Sequence, residues 1–174
     1  MKTPGFTREE LFKELADPIG EIKRDVEMPI GYCFSYAAES LPDGDAKLLH
    51  WTKGVHIKEM LGQPVGKPLL EYLNERNEPK FTSIKVLNDT VASLFAGLTD
   101  SNYDAYIGLI VGTGTNMATF IPADKITKLP ASIQADGLIP VNLESGNFHP
   151  PFLTTVDEMV DACSDSRGMQ RFEK

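Results

Sequence analysis

The chain has 174 residues, 41% of them hydrophobic and 24% charged, a composition typical of a soluble globular protein and not of a disordered one. Its formal net charge is -8, and it contains no run of Lys or Arg, which argues against a nucleic acid or an anionic membrane surface as its partner. Its longest apolar stretch is far too short to cross a bilayer. Two widely separated cysteines and a start without a secretory signal pattern predict a cytoplasmic protein. The three histidines lack metal-ligand spacing, so no metal site is predicted.

The first elements are a helix and a hairpin. Thr7 and Glu10 form a capping-box pattern, in which each side chain can bond the other residue's backbone N–H. The helix that follows is expected to kink or end at Pro18. An aromatic-rich strand over residues 30–38, the turn LPDGD and a returning strand over residues 48–54 predict a hairpin.

Helices and strands alternate through the rest of the chain. In order, the patterns predict a helix over 64–77, a strand over 81–87, a helix whose apolar side is Val91, Leu94, Phe95 and Leu98, strands over 106–111, 117–122 and 139–143, and a helix over 154–163. Hairpins combined with strand–helix alternation predict a mixed α/β fold.

The stretch Asn88-Asp89-Thr90 stands between a predicted strand and a predicted helix. On local sequence it is an N-cap, since Asn, Asp and Thr satisfy the free N–H groups at a helix start. It is also a carboxylate at the carboxyl end of a strand, which is where α/β sheets bind ligands. A helix N-terminus favours negative charge, so Asp89 could accept a hydroxyl proton. Both interpretations fit the local pattern.

The stretch GLIVGTGTN is a strand followed by a turn that contains two glycines. Gly112 and Gly114 would allow a close backbone approach to a phosphate, to which Thr113 and Thr115 would add hydroxyl donors. The alternative is an ordinary hairpin turn, because the stretch lacks the spacing and the lysine of a P-loop. Lys53 and Glu144 are, taken alone, ordinary surface residues at strand ends.

Six blocks together are more specific than any one of them: FSYA, WTKG, LNDT, GLIVGTGTN, VNLESGNF and QRFEK. In their order and spacing the chain resembles the hexokinase family of eukaryotic type, from its first helix to its last residue. The resemblance implies a partial actin-like ATPase (ribonuclease H-like) fold. Residues 1–88 would belong to the small sugar-binding lobe, and residues 89–174 would be the first part of the large lobe. The family's D-x-G-G-T-N loop and adenosine segment are not found, so the chain is expected to be a fragment of a longer enzyme.

The resemblance implies ATP-dependent phosphorylation of a hexose, glucose above all, at its 6-hydroxyl. Asp89 would be the general base, Lys53 would neighbour the transferring charge, and Mg2+ would be bound mainly through ATP. The family's sugar ligands match Ser35, Thr52, Lys53, Asn88, Asp89, Asn116, Glu144 and Glu173. Its ATP-phosphate loop matches Gly112, Thr113 and Gly114.

The blocks depart from the family pattern at two positions. Ala37 stands where the family's FSFP has proline, and Ser145 stands where its E-W-G has tryptophan, which indicates a divergent branch. Two further interpretations remain: a non-catalytic sugar-binding module or sensor, and a catalytically silent half of a longer enzyme. The presence of Asp89 and Lys53 argues against the silent half.

Overall fold

The structure is a computed structural model that describes residues 6–22, 25–52, 55–100, 102–112, 114–129, 136–147, 151–164 and 167–168. The chain divides into two compact units, Met1–Asn88 and Asp89–Lys174, which we call the first and the second unit. Both units combine helices with strands, as the mixed α/β prediction requires. Within the described ranges, no helix is long and apolar enough to cross a bilayer.

The first unit begins with helix α1, Arg8–Gly20, which is held at its start by the predicted capping box. The hydroxyl of Thr7 accepts a hydrogen bond from the Glu10 backbone N–H at 3.2 Å, and the Glu10 carboxylate accepts one from the Thr7 N–H at 2.8 Å. Of the two expectations for Pro18, a kink or an end of the helix, the end was wrong, because α1 continues to Gly20, and the kink stays a prediction. Pro18 lies in the last turn, where its missing N–H removes one hydrogen bond close to the helix end.

Among the described residues of the first unit, four strands form two separate two-stranded sheets. Strand β1, Met28–Cys33, pairs in parallel with β4, Phe81–Leu87. Strands β2, Ala37–Ser40, and β3, Ala46–His50, form an antiparallel hairpin around the predicted LPDGD turn, with bounds that differ from the predicted 30–38 and 48–54. The single strand predicted over residues 30–38 was therefore wrong. It is interrupted between β1 and β2 because its two parts pair with different partners.

Helix α2, Gly66–Asn74, is capped by a residue that is distant in sequence. Asp45, only 5% exposed, lies in the turn before β3. Its carboxylate accepts hydrogen bonds from the N–H groups of Gly66 and Lys67, both at 2.7 Å. It also accepts one from the neighbouring Ala46 N–H at 2.6 Å. This contact fixes the start of α2 against the β2–β3 hairpin.

The core of the first unit is one cluster of apolar side chains from α1, α2, the strands and the segment between β3 and α2. Its most buried members are Leu48, Ile57, Met60, Val65, Leu69 and Leu73, each no more than 2% exposed. Because the cluster draws on every element of the unit, it holds the carboxyl ends of β1 and β4 in a fixed position.

The second unit contains helix α3, Asp89–Gly97, a three-stranded sheet and helix α4, Thr155–Ala162. The sheet is antiparallel in the order β5–β6–β7, which are Ile107–Val111, Thr115–Pro122 and Leu138–Asn142. Thr154 caps α4, the helix predicted over residues 154–163, through a capping box with Asp157.

Helix α3 lies directly against strand β5 at Gly108. A Cβ at Gly108 would lie 2.5 Å from the Thr90 carbonyl oxygen and 2.7 Å from the Leu94 nitrogen, so only glycine allows this approach of two backbones. Thr90 and Leu94 are almost fully buried. Of the apolar side predicted for this helix, Phe95 and Leu98 are instead 40% and 45% exposed.

Candidate active site

Two predicted sugar ligands lie at the same edge of the first unit's parallel sheet. In the register of β1 and β4, Cys33 is opposite Leu87, and the Phe34 N–H donates to the Leu87 carbonyl at 2.8 Å. Ser35 follows β1 by two residues, and Asn88 follows β4 by one. Because the carboxyl ends of parallel strands meet at one edge, the fold brings Ser35 and Asn88 to the same place.

Thr52 is placed by the β2–β3 hairpin. Ala37 of β2 is opposite His50 of β3, so Ser35 precedes and Thr52 follows the open end of the same hairpin. Thr52 is exposed, and its carbonyl accepts a hydrogen bond from the Val55 N–H at 3.1 Å. The neighbouring Lys53, predicted to be both catalytic and sugar-binding, lies outside the described residues.

An aromatic cluster holds the segment before Thr52. The Trp51 indole N–H donates to the Ile57 carbonyl at 2.8 Å, and its ring meets Tyr36 edge-on at 4.7 Å between centroids. Beside the cluster is a cavity of about 290 Å³, lined by Leu11, Leu15, Tyr32, Cys33, Phe34, Ser35, Tyr36 and Trp51. Burial, with a smaller contribution from Tyr36, raises the pKa of Tyr32 to about 12.

Asp89 is the first residue of α3 in the second unit. Its Oδ1 accepts a hydrogen bond from the Thr90 backbone N–H at 2.8 Å and a longer one from the Thr90 hydroxyl at 3.3 Å. The carboxylate therefore satisfies a free N–H of the first helical turn, where the helix dipole favours a negative charge. This geometry agrees with the capping interpretation, and it equally places a carboxylate at a strand-to-helix junction.

The glycine-containing turn joins β5 to β6. Val111 and Thr115 form the last pair of the hairpin, and the Gly112 N–H donates to the Gly114 carbonyl at 3.0 Å. The predicted hairpin turn is thus confirmed, which leaves the predicted phosphate role a separate question. A Cβ at Gly112 would meet nothing nearer than the Gly114 oxygen at 4.0 Å, so packing does not require glycine there. Thr113 lies outside the described residues.

The structure connects Asn116 and Glu144 through a third residue that the sequence prediction missed. Asn142, at the end of β7, accepts a hydrogen bond from Asn116 Nδ2 at 2.7 Å and donates from its own Nδ2 to Glu144 Oε1 at 2.6 Å. Asn142 is opposite Ala118, which makes Asn116 its diagonal neighbour across β6 and β7. The sequence feature that could have indicated Asn142 is its spacing from Glu144, since the two polar residues lie two positions apart at the end of a strand.

A left-handed turn closes this part of the site. Glu144 has φ of 49°, and among the described residues other than glycine it alone has a positive φ. Its conformation turns the chain after β7 so that the Ser145 N–H donates to Asn116 Oδ1 at 3.3 Å. The Ser145 hydroxyl oxygen is buried and has no hydrogen-bond partner within the part of the chain that the structure describes.

The described residues contain no group of three or more His, Cys, Asp or Glu side chains that could hold a metal ion. Glu173, the last predicted sugar ligand, lies outside these residues. The predicted site residues that the structure brings near one another are thus Ser35 with Thr52 and Asn88, and Asn116 with Glu144.

Comparison with known proteins identifies the family. Two family models, each described as hexokinase, match the chain over residues 1–99 and residues 106–174. The first match alone covers more than half of the chain. The chain belongs to the hexokinase family.

The chain is similar to hexokinases over almost its whole length. It is 30% identical to the hexokinase of Brugia malayi, with 97% of this chain and 32% of that protein covered. It is 34% identical to Hexokinase-2 of Schizosaccharomyces pombe, with 84% of this chain and 32% of that protein covered. This chain therefore spans about a third of the length of these relatives.

Solved hexokinase structures share the fold. The chain matches Schistosoma mansoni hexokinase complexed with glucose with a TM-score of 0.75 and 28% identity, covering 96% of this chain and 39% of that one. A second hexokinase crystal structure matches with a TM-score of 0.63 and 27% identity, over 95% of this chain and 34% of that one. The predicted fold class, a partial actin-like ATPase fold, is confirmed.

Proposed function

We propose that this chain is part of a hexokinase that transfers the γ-phosphoryl group of ATP to the 6-hydroxyl of a hexose, with glucose as the preferred sugar, in the cytoplasm. The observation that carries the proposal is the position of Asn88-Asp89 in a chain of this family. Asn88 ends the parallel strand pair beside Ser35, and Asp89 begins α3. Such a strand-to-helix junction is where α/β folds bind ligands. The glucose-bound state of the Schistosoma mansoni neighbour supports the choice of sugar.

Asp89 would act as the general base. The proton of the sugar 6-hydroxyl passes to its carboxylate as the hydroxyl oxygen attacks the γ-phosphorus. The bond from that phosphorus to the bridging oxygen breaks, and ADP leaves. The transition state is loose, so the reaction needs positioning and charge neutralisation more than a strong base. The Thr90 N–H holds Oδ1 at 2.8 Å, which fixes the carboxylate and leaves Oδ2 to receive the proton.

Charge and hydrogen bonding around the reacting groups come from the other predicted residues. Lys53 would stabilise the charge that develops on the transferred group. The turn at Gly112 and Gly114, with Thr113, would contact the ATP phosphates, and the open space at Gly112 leaves room for their approach. Mg2+, bound mainly through those phosphates, would neutralise part of their charge. The hexose hydroxyls would be bound by Ser35, Thr52, Lys53, Asn88, Asp89, Asn116, Glu144 and Glu173.

Sugar binding can be tested with the single tryptophan of the chain. Trp51 precedes Thr52 and contacts Tyr36, so we expect glucose to change its fluorescence. Ser35→Ala should weaken the glucose response, whereas Ser40→Ala, at an exposed position of the same hairpin, should leave it unchanged. A folded chain with no response to millimolar glucose would contradict the sugar site.

Catalysis is tested separately by an ADP-coupled assay, on this chain and on a chain extended at both ends to the length of its relatives. We expect turnover with glucose and MgATP in the extended chain, and its loss in Asp89→Ala. Glucose binding without turnover in the extended chain would favour the non-catalytic sugar-binding module.

A further inference from the structure

Asn142 occupies the middle of a chain of side-chain hydrogen bonds in the second unit. Asn116 Nδ2 donates to Asn142 Oδ1 at 2.7 Å, and Asn142 Nδ2 donates to Glu144 Oε1 at 2.6 Å. At the other end, Asn116 Oδ1 accepts from the backbone N–H groups of Met117, at 2.8 Å, and Ser145, at 3.3 Å. We refer to Asn116, Asn142 and Glu144 as the amide relay.

The two ends of the amide relay fix the direction of every bond in it. The backbone N–H groups of Met117 and Ser145 can only donate, so Asn116 must direct its oxygen toward them. An ionised Glu144 can only accept, so Asn142 must direct its NH2 group toward the carboxylate. Turning either amide over would place donor against donor or acceptor against acceptor. One orientation of both amides satisfies all the contacts.

This orientation decides what the two predicted sugar ligands can offer. The relay uses one of the two Nδ2 hydrogens of Asn116 and one carboxylate oxygen of Glu144. The second hydrogen is a donor, and the second oxygen is an acceptor. Both can serve sugar hydroxyl groups, since a hydroxyl can accept from the amide hydrogen and can donate to the carboxylate oxygen.

We propose that Asn142 is a positioning residue of the sugar site, which fixes the donor and acceptor orientation of Asn116 and Glu144. The inference rests on the proposed function, because it takes a hexose as the ligand. It assigns no contact with the sugar to Asn142 itself. The role follows from the amide group, since its oxygen accepts from Asn116 while its NH2 group donates to Glu144.

Asn142→Asp and Asn142→Leu test the relay in different ways. Asn142→Leu removes both hydrogen bonds. Asn142→Asp keeps the shape and the acceptor but replaces the donor that faces Glu144 with an oxygen. Asn102→Asp is the matched control, since Asn102 Nδ2 donates to Asp100 at the same 2.6 Å but outside the predicted site. Each protein is titrated with glucose by calorimetry between pH 5.5 and pH 8.

We expect Asn142→Leu to weaken glucose binding about 10- to 100-fold at every pH, the range of a charge-assisted hydrogen bond. Asn142→Asp should weaken it as strongly at pH 8. The introduced carboxyl lies against another carboxylate, so its pKa is raised, and it gains a proton as the pH falls. Once protonated it donates to Glu144 as the amide did, so its glucose affinity should recover toward pH 5.5. A loss of affinity in Asn142→Asp that stays the same down to pH 5.5 would contradict the role of the donor that faces Glu144.

The relay is also measured without sugar, from the side-chain amide signals of Asn116 in 15N–1H NMR spectra. They should shift in Asn142→Leu and should shift with pH in Asn142→Asp, while Asn102→Asp leaves them unchanged. Unchanged Asn116 signals, or equal glucose affinities in the wild type and both Asn142 variants, would overturn the inference and leave the proposed function intact. A wild-type chain that does not bind glucose contradicts the proposed function. The Asn116 spectra then decide the orienting role alone.

Discussion

Asp45→Ala is expected to destabilise the first unit strongly, because Asp45 is the cap of α2. Its buried carboxylate accepts the N–H groups of Gly66 and Lys67 at 2.7 Å each, and the Ala46 N–H at 2.6 Å. Each hydrogen bond to a charged group contributes about 1.5 to 3 kcal/mol, and removing the acceptor leaves the donors unsatisfied. Loss of an ordinary helix cap alone costs about 1 kcal/mol. Water that enters the space of the removed carboxylate can accept from some of these N–H groups and so replaces part of the lost hydrogen-bond energy. We therefore expect a decrease of about 3 kcal/mol in the free energy of unfolding.

Asp45→Asn removes the negative charge of the side chain but keeps its shape. One amide oxygen can still accept from Gly66 and Ala46, but the NH2 group would face the Lys67 N–H, and two donors repel each other. We therefore expect about half the loss seen in Asp45→Ala. Asp43→Ala is the control, because Asp43 is exposed and its carboxylate accepts one N–H, from Asp45 at 3.1 Å.

Urea unfolding followed by Trp51 fluorescence measures these effects. The only tryptophan of the chain lies in the same unit as Asp45, so the signal reports on that unit. The expected order of stability is wild type, Asp43→Ala, Asp45→Asn and Asp45→Ala. A loss below about 1 kcal/mol for Asp45→Ala would refute the argument, since it would equal an ordinary exposed cap.

Three further predictions concern the second unit. Gly108→Ala should lower the free energy of unfolding by about 1 to 3 kcal/mol in urea titrations, because its Cβ would clash with the α3 backbone at 2.5 Å; an unchanged midpoint would contradict this packing. Gly112→Ala should change the free energy of unfolding by less than about 0.5 kcal/mol, as an unstrained surface substitution does, and should reduce ATP-dependent turnover in the extended chain; full activity would argue against the phosphate role. Hydrogen bonds from the Thr154 hydroxyl and backbone hold the pKa of Asp157 below its ordinary value, so the α4 cap should be complete above about pH 4 and be lost as the pH falls through the lowered pKa. NMR signals of the first turn of α4 should follow this change, and Asp157→Asn should abolish it.

Local patterns in the sequence predicted local structure well. Strand β4 was predicted with its observed bounds, 81–87, because its apolar residues are followed at once by the polar junction at Asn88. The cap at Thr7 was predicted because a capping box is formed within four residues. The start of a helix at Asp89 was likewise predicted from neighbouring residues, the N-cap pattern Asn88-Asp89-Thr90.

Contacts between distant residues could not be predicted in this way. Nothing near Asp45 indicates that its carboxylate caps a helix that begins 21 residues later. The interruption between β1 and β2 depends on which strand each part pairs with, and the aromatic pattern continues through both. Asn142 was missed because its role arises from the β6–β7 register, which brings it beside Asn116, 26 residues earlier.

Turnover by the Asp89 variants tests the central claim most directly. The ADP-coupled rate with glucose and MgATP is compared in the extended chain for the wild type, Asp89→Asn and Asp89→Ala, with glucose affinity measured on the same samples. Asp89→Asn keeps the shape and an acceptor for the Thr90 N–H but has no carboxylate to take the proton. General base catalysis contributes about 100- to 10,000-fold, so both variants should lose at least 100-fold in turnover, with Asp89→Asn still binding glucose. Turnover near the wild-type rate in a folded, glucose-binding Asp89→Asn would show that Asp89 is not the base.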